Sequence, residues 1–350
     1  MRWLPAVILL LGSFGMIKGG SPQAVILAGD ADSPEERICD FYPAGTESVT
    51  DGLEIYLITK ARNNTYWDSL ISGASECAFD RGANLYIGGT MRESYVEELC
   101  ALVREVRNRK ADAVIISPQN SSQMTAELNE LKRTGCSVIF VDSFLNSTSF
   151  DACFMTDNVR AGHLAAEHVL KRLRAKGVSE EEDLFAGIEV GSAQSQTIME
   201  RLAGFNGYWN RNAPDRWKVV EEISSNGGDI VKAQEDVERY MDAYPDLGAL
   251  VGLNNGSTIG IVNAVYERGR KDLTVIGFDY SDEMAAMIAD PDMDASAVVQ
   301  KQYDMGWKAV ETACDIAQGL LPSGRYTDTG VELVTKDNVN DPEIQSVLKR

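Results

Sequence analysis

The chain has 350 residues, 44% apolar and 25% charged, a globular composition with room for two domains. Its 53 acidic residues outnumber 33 basic ones, giving a formal charge of −20, and no lysine or arginine cluster offsets the excess. That balance repels nucleic acid phosphate, so no nucleic acid partner is expected, and it suits a well-solvated or exported protein.

Arg2 is the only charge before an apolar run from Trp3 to Ile17. The run has the apolar length of a signal peptide and is short for a bilayer span of about 20 residues. Residues 1–20 are read as a signal peptide or membrane anchor, the only membrane contact expected, and residues 21–51, rich in Gly, Ser, Pro and acids, as a linker. Six cysteines are scattered without any C-x-x-C pair, so no compact zinc or redox site is signalled and buried free thiols are expected.

From Glu54 the chain alternates strand and helix. The pattern predicts strands at 54–59, 84–88, 112–117, 137–142 and 152–156, separated by helices at 66–81, 93–109 and 121–134. A second series has strands at 184–190, 217–223, 248–253, 273–279 and 295–299, with helices at 159–176, 196–211, 230–243, 257–269, 281–289 and 303–319. Continuous apolar runs such as Ala113-Val114-Ile115-Ile116 suit strands covered on both faces. Strand–helix alternation predicts parallel sheets with right-handed crossovers. Ten strands are many for one twisted sheet, so the expected fold is α/β, with two similar doubly wound parallel-sheet lobes. Asp157-Asn158 and Ser281-Asp282 stand where helices begin, as capping residues do, and Gly135 and Gly269 where helices end.

In open α/β sheets ligands bind beyond the carboxyl ends of the strands. Polar and aromatic residues gather there in this chain. Lys60, Asn63, Asn64, Tyr66 and Trp67 follow the first strand, and Asp142 and Ser143 follow the fourth. Asn254-Asn255, Asp279-Tyr280 and Gln300 follow three strands of the second series. Each residue singly also fits a purely local role, with Asn64 and Asn254 as helix caps, Asp142 in a loop, and Tyr66 and Trp67 in the core. Together they fit a sugar-like ligand. Carboxylates and amides pair with hydroxyl groups, and aromatic rings cover the C–H face of a sugar. G-x-G-x-x-G, Walker, G-x-S-x-G and H-E-x-x-H patterns are missing, and the two histidines, His163 and His168, are not at metal-binding helical spacing. An enzyme is not expected, nor is a cofactor or metal.

Asn63-Asn64-Thr65-Tyr66-Trp67, Val141-Asp142-Ser143, Thr156-Asp157-Asn158, Arg201-Leu202-Ala203-Gly204-Phe205, Leu253-Asn254-Asn255, Val275-Ile276-Gly277-Phe278-Asp279 and Gln300 occur in an order that resembles the type I periplasmic sugar-binding proteins. The resemblance is to their ribose- and galactose-binding group, relatives of the effector half of lactose-type repressors, and runs from about Glu54 to Thr335. It implies that Asn64, Tyr66, Trp67, Asp142, Asn254, Asp279 and Gln300 line a cleft between lobes joined by a three-crossing hinge. It implies an N-terminal lobe of residues 52–156 plus 301–329 and a C-terminal lobe of 157–300 plus 330–350. It also implies delivery of the ligand to an ABC transporter permease from a periplasmic or extracellular position. Three positions depart from the ribose-binding pattern: Ser143 and Met199 stand where arginines are usual, and Lys60 where a small polar residue is. All three belong to the expected ligand wall, with Lys60 supplying the missing cation, and ribose itself is not expected. An anchored sensor working with a histidine kinase is the alternative partner scheme. A repressor-like effector domain without its DNA-binding module is the less favoured one.

Overall fold

The computed structural model describes residues 38–45, 49–60, 62, 66–91, 95–119, 122–320 and 325–348. The segment read as signal peptide or anchor lies outside the described residues, as do Asn63, Asn64 and Asn120.

The first lobe opens with β1 (Ile38–Pro43) and continues β2 (Glu54–Thr59), α1 (Tyr66–Arg81), β3 (Asn84–Thr90), α2 (Val96–Arg109), β4 (Ala113–Ile116), α3 (Ser122–Arg133), β5 (Ser137–Val141) and β6 (Ala152–Met155). The chain then enters the second lobe with α4 (Asn158–Ala175), β7 (Leu184–Val190), α5 (Gln196–Asn212), β8 (Trp217–Val219), β9 (Ser224–Ser225) and α6 (Ile230–Ala243). That lobe goes on through β10 (Leu247–Gly252), α7 (Asn255–Arg268), β11 (Thr274–Phe278), α8 (Asp282–Ala289) and β12 (Asp294–Gln300). It returns to the first lobe for α9 (Gln302–Ala317) and β13 (Arg325–Asp328), and ends in the second with β14 (Val331–Thr335) and α10 (Pro342–Leu348).

The first sheet has the order β1-β3-β2-β4-β5-β6-β13, parallel except for β1. The second has the order β14-β12-β11-β10-β7-β8, with β9 also on β7, parallel except for β14. Strand alternation divides each core into two layers. Along β2, Ile55 and Leu57 pack toward α1 and α9 with Trp67, Leu70 and Met305, whereas Tyr56 and Ile58 pack toward α2 and α3 with Leu99 and Leu128. In the second lobe Ile188 and Val190 meet Phe205 and Trp209 of α5, while Leu250 meets Val237 and Ile261 of α6 and α7. Each such side chain, fully buried, contributes about 1.5–3 kcal/mol.

Both lobes use the same close helix crossing. A Cβ on Gly73 of α1 would lie 2.1 Å from the Tyr303 carbonyl, and one on Gly306 of α9 1.9 Å from that of Leu70. In the second lobe, a Cβ on Gly162 of α4 would lie 1.9 Å from the Arg201 carbonyl, and one on Gly204 of α5 2.0 Å from that of Val159. Only glycine permits backbones to approach this closely.

The three crossings are laced together. Asp328 Oδ1 accepts from the Asp157 amide at 2.9 Å and the Gly330 amide at 2.8 Å, and Lys301 pairs with Glu332 at 2.7 Å. Asp157 also caps α4 by accepting from the Arg160 amide, and Ser281 caps α8.

The strand Ile38–Pro43 corrects the linker assignment, because it pairs antiparallel with β3 and so belongs to the first sheet. Of the expected strand at 217–223 only β8 forms, and β9, just beyond that range, makes a second short pairing with β7. Strands β13 and β14 and helix α10 were not expected from the pattern. Five cysteines are buried thiols and Cys39 is half-buried.

Candidate functional site

Side chains just past β2, β4 and β5 come close to those just past β11 and β12, since Tyr66 and Asp142 feel the charges of Asp279 and Arg201, and Thr156 bonds to Gln300. At this junction lies a cluster of buried polar side chains. On the first lobe, Tyr66 at the start of α1 donates its hydroxyl to Asp142 Oδ1 at 2.7 Å. Ser117, just past β4, donates to Asp142 Oδ2 at 3.1 Å, and Ser143 donates to the same oxygen at 2.6 Å. Lys60 Nζ donates to Ser143 Oγ at 2.7 Å and lies 3.4 Å from Asp142 Oδ2. Lys60, Asp142 and Ser143 are all buried, at 6–8% exposure, so this ammonium and carboxylate neutralise each other out of bulk water.

On the second lobe, Gln300 at the end of β12 donates to Asp279 Oδ1 at 3.0 Å, and Gln302 donates to it at 3.3 Å. Thr156, beside the first crossing, donates to Gln300 Oε1 at 3.1 Å. Asp279 is therefore held by side chains from the hinge itself. Arg201 of α5 donates to Asn158 Oδ1 at 2.8 Å and to the Leu253 carbonyl at 2.9 Å, and its guanidinium lies 4.3 Å from the Phe278 ring centre.

Asp142 and Asp279 each follow the last residue of a strand and each has left-handed backbone, φ 64° and φ 68°. Aspartate tolerates this region better than most residues, and the turn aims both carboxyls out of their sheets. Their electrostatics differ. Burial raises the Asp142 pKa, but Lys60, the Ser143 and Tyr66 hydrogen bonds and Arg201 together hold it below the usual carboxylate value. Burial pushes Asp279 up to about 6, against the pull of Arg201 and Gln300 and with the Asp142 charge adding to the rise. Burial, followed by the charges of Asp142 and Asp279, raises Tyr66 well above the usual phenol value, so it stays a neutral donor. Tyr66 senses both aspartates, and each aspartate senses the other's lobe, because the two walls approach closely.

Of the residues expected from the sequence, Lys60, Tyr66, Asp142 and Ser143 form one network, and Asp279 with Gln300 forms the other. Trp67 turns inward: it is 2% exposed in the first lobe's core and meets Tyr66 edge-on at 5.0 Å between ring centres. Asn254 is half-buried at the start of α7, with its Oδ1 accepting from Ser257 at 2.6 Å. Met199 is 39% exposed on α5, and the buried cation of that helix is Arg201, two residues on. Asn64 lies outside the described residues. Ser117 and Gln302 join the cluster without having been singled out, and Thr156 and Arg201, which the resemblance carries as motif residues, join it as further site residues. A signal existed for two of them: Ser117 directly follows the apolar run of β4, and Arg201 interrupts the buried stripe Ile198, Gly204, Phe205. Among the described residues no group of His, Cys, Asp and Glu is placed to hold a metal ion, and no helix is long and apolar enough to cross a membrane.

Two α/β lobes, three crossings and a polar cluster at opposed strand ends define a hinged, two-lobed binding protein. Residues 55–321 match the family model described as a periplasmic binding protein domain, and the chain belongs to that family. It is similar to the ribose import binding protein of Bacillus subtilis, 27% identical over 265 residues that cover 76% of this chain and 82% of that one. It is 23% identical over 273 residues to a D-apiose import binding protein of Actinobacillus succinogenes, covering 77% of this chain and 84% of the relative. Among solved structures it resembles a carbohydrate transporter solute binding protein from Agrobacterium radiobacter in complex with D-arabinose, with a TM-score of 0.78 and 25% identity over 85% of this chain and 99% of that one. It also resembles an ABC transporter solute binding protein from Agrobacterium vitis with bound D-fucose, with a TM-score of 0.76 and 26% identity over 84% and 99% of the two chains.

Proposed function

We propose that this protein captures an uncharged monosaccharide or close analogue between its lobes, outside the cytoplasmic membrane, and hands it to an ABC sugar transporter without chemically changing it. The observation that carries the reading is the balance of charge at the lobe junction. Two buried cations, Lys60 and Arg201, stand with two buried carboxylates, Asp142 and Asp279. A charged ligand such as a sugar acid or sugar phosphate would enter this site with its charge uncompensated, at a cost of several kcal/mol. A neutral polyol would not. Its hydroxyls can donate to the two aspartates and accept from Lys60 and the amides, while the Tyr66 ring offers an apolar face.

Lys60, Asn64, Tyr66, Asp142, Ser143, Asn254, Asp279 and Gln300 are proposed as the ligand wall, Trp67 as its backing from the core, and Met199 as its rim. The lobes proposed are residues 52–156 plus 301–329 and 157–300 plus 330–350, with β1 added to the first. Closure would occur by rotation about the three crossings. The import proteins among the relatives, matched over three quarters or more of this chain, favour a transporter over a sensor kinase as the client.

A thermal-shift screen of the purified full chain against D-ribose, D-arabinose, D-apiose, D-fucose, a polyol and a sugar phosphate tests this. A sugar at a hundredfold over its dissociation constant adds about 2.7 kcal/mol, on the order of 4 °C in Tm for a chain of this length. A larger shift with the phosphate than with any neutral sugar sinks the charge argument. Turnover of a sugar sinks the non-enzymatic reading.

A further inference from the structure

One carboxyl in the second lobe has no part in the cluster described so far. Glu189 is the penultimate residue of β7 and is 0% exposed, in a strand otherwise made of apolar residues and glycine. Its neighbours Ile188 and Val190 belong to the layer under α4 and α5, so alternation points Glu189 to the opposite face, under α6 and α7. Beside it in the sheet stand Gly252 of β10 and Ser224 of β9, which bring no charge.

Glu189 Oε1 accepts from Asn226 Nδ2 at 3.0 Å, and its Oε2 has no partner. The same Asn226 nitrogen donates to Ser257 Oγ at 2.8 Å. The orientation of Asn226 is fixed, because its Oδ1 accepts from the Gly228 amide at 2.7 Å. Ser257, having accepted from Asn226, turns its own proton to Asn254 Oδ1 at 2.6 Å. Asn226 thus donates to both sides, one amide proton to Glu189 and the other to Ser257, and from Asn226 onward the bonds run in one sense to Asn254. The last of them occupies the Asn254 oxygen and leaves the Asn254 nitrogen over Gly191, close enough that a Cβ there would lie 2.8 Å from it.

We infer that Glu189 is a positioning residue for the ligand cleft, acting through Asn226 and Ser257 to hold the Asn254 amide with its nitrogen as the donor. This rests on the reading of Asn254 as part of the ligand wall. Burial pushes the Glu189 pKa up to about 8, with the Asn226 hydrogen bond opposing, so the carboxyl is neutral at pH 7. The other groups that bear on it come from α6: Asp236 raises it, while Lys232 and Arg239 lower it. Tyr240, also on α6, donates to the Ile188 carbonyl at 3.0 Å. Asn226 and Ser257, the groups from the α6 entry loop and from α7, do not titrate. The relay therefore has one titrating member within it.

The test follows the side-chain amide resonances of Asn226 and Asn254 in the ¹⁵N-labelled full chain, assigned by Asn226→Asp and Asn254→Asp. Both should move with a shared midpoint near pH 8, and Glu189→Gln should remove the titration at both. Affinity for D-arabinose and D-ribose is measured alongside. Glu189→Gln keeps a carbonyl acceptor for Asn226 and should retain affinity within about threefold, whereas Glu189→Leu should weaken it about tenfold or more. Amide resonances that do not titrate together, or that titrate unchanged in Glu189→Gln, overturn the relay. A shared titration in a protein that binds no sugar keeps the relay and overturns the sugar reading. A Glu189→Gln loss of affinity as large as that of Glu189→Leu overturns the positioning role.

Discussion

The two sides of the lobe junction share a backbone turn and differ in how they carry charge. Each lobe ends a central strand in an aspartate of left-handed backbone, Asp142 after β5 and Asp279 after β11. Asp142 faces a lysine at 3.4 Å and is held ionised. Asp279 faces two glutamine amides from the hinge, and its pKa rises to about 6. A repeated fold thus supplies the turn that carries a side chain but not its protonation. Burial raises both, and protonation is then decided by what opposes it: a lysine from the end of β2 outweighs burial at Asp142, whereas Arg201 and the Gln300 amide do not outweigh it at Asp279. Asp142 is locked to a cation of its own lobe, and Asp279 is tied to side chains of the crossings.

Removing each carboxyl in turn should separate the two aspartates most strongly. Asp142→Ala takes away the carboxylate that neutralises Lys60 and should cost about 3–5 kcal/mol of stability by chemical denaturation. Asp279→Ala removes a carboxylate that at pH 7 is ionised against burial, so the hydrogen bonds lost, about 1–3 kcal/mol, are offset by relief of that charge and the net loss should be much smaller. Lys60→Met with Asp142→Asn should recover much of the first loss, and equal losses at the two aspartates would erase the distinction. Both single substitutions should abolish the thermal shift with sugar.

The two aspartates should also respond to pH with opposite sign. Asp279 binds its proton more tightly folded, at about 6, than the 3.8 of a free aspartate, so its contribution to stability is present at low pH and is lost as pH rises from about 4 to 6. The whole change amounts to about 3 kcal/mol. Asp142, with its pKa lowered, contributes stability that is present above the free value and is lost as pH falls through its folded value. Denaturation midpoints of the wild type, Asp279→Asn and Asp142→Asn across this range separate the two slopes. Ligand affinity should fall below about pH 6, where Asp279 gains a proton and accepts fewer hydroxyl hydrogen bonds.

How much of this could be read from the chain follows the same division. Apolar runs and helical periodicity gave β2, α1 and α6 to the residue, because their burial is dictated locally. Edge strands were missed: β13 reads Arg-Tyr-Thr-Asp, and only its parallel register on β6 makes it a strand. The strand-end rule pointed to Lys60, Asp142, Asp279 and Gln300, since topology alone sets where strands end. It applied equally to Ser117, the residue after β4, but not to Arg201, which lies within α5 and reaches the junction only through the fold. Adjacent aromatics were ambiguous for a geometric reason. Successive helical residues point about 100° apart, so Tyr66 and Trp67 cannot share one wall, and Trp67 takes the core. No pattern in the sequence could assign opposite pKa shifts to two aspartates that end similar strands.

The smallest test asks whether the shared skeleton is as symmetric as it looks. Gly73→Ala and Gly162→Ala each place a methyl group about 2 Å from a carbonyl of the facing helix, in the α1–α9 and α4–α5 crossings respectively. Neither glycine has left-handed backbone, so alanine itself strains no dihedral. The cost is separation of the helices, about 1–3 kcal/mol of overpacking in either lobe. Similar losses of denaturation midpoint at both sites would show that the lobes are equivalent as scaffolds and that their difference lies in the charges mounted on them. A loss at one site only would show that the crossings are not equivalent, and that the asymmetry begins below the cleft, in the helices that carry Tyr66 and Arg201.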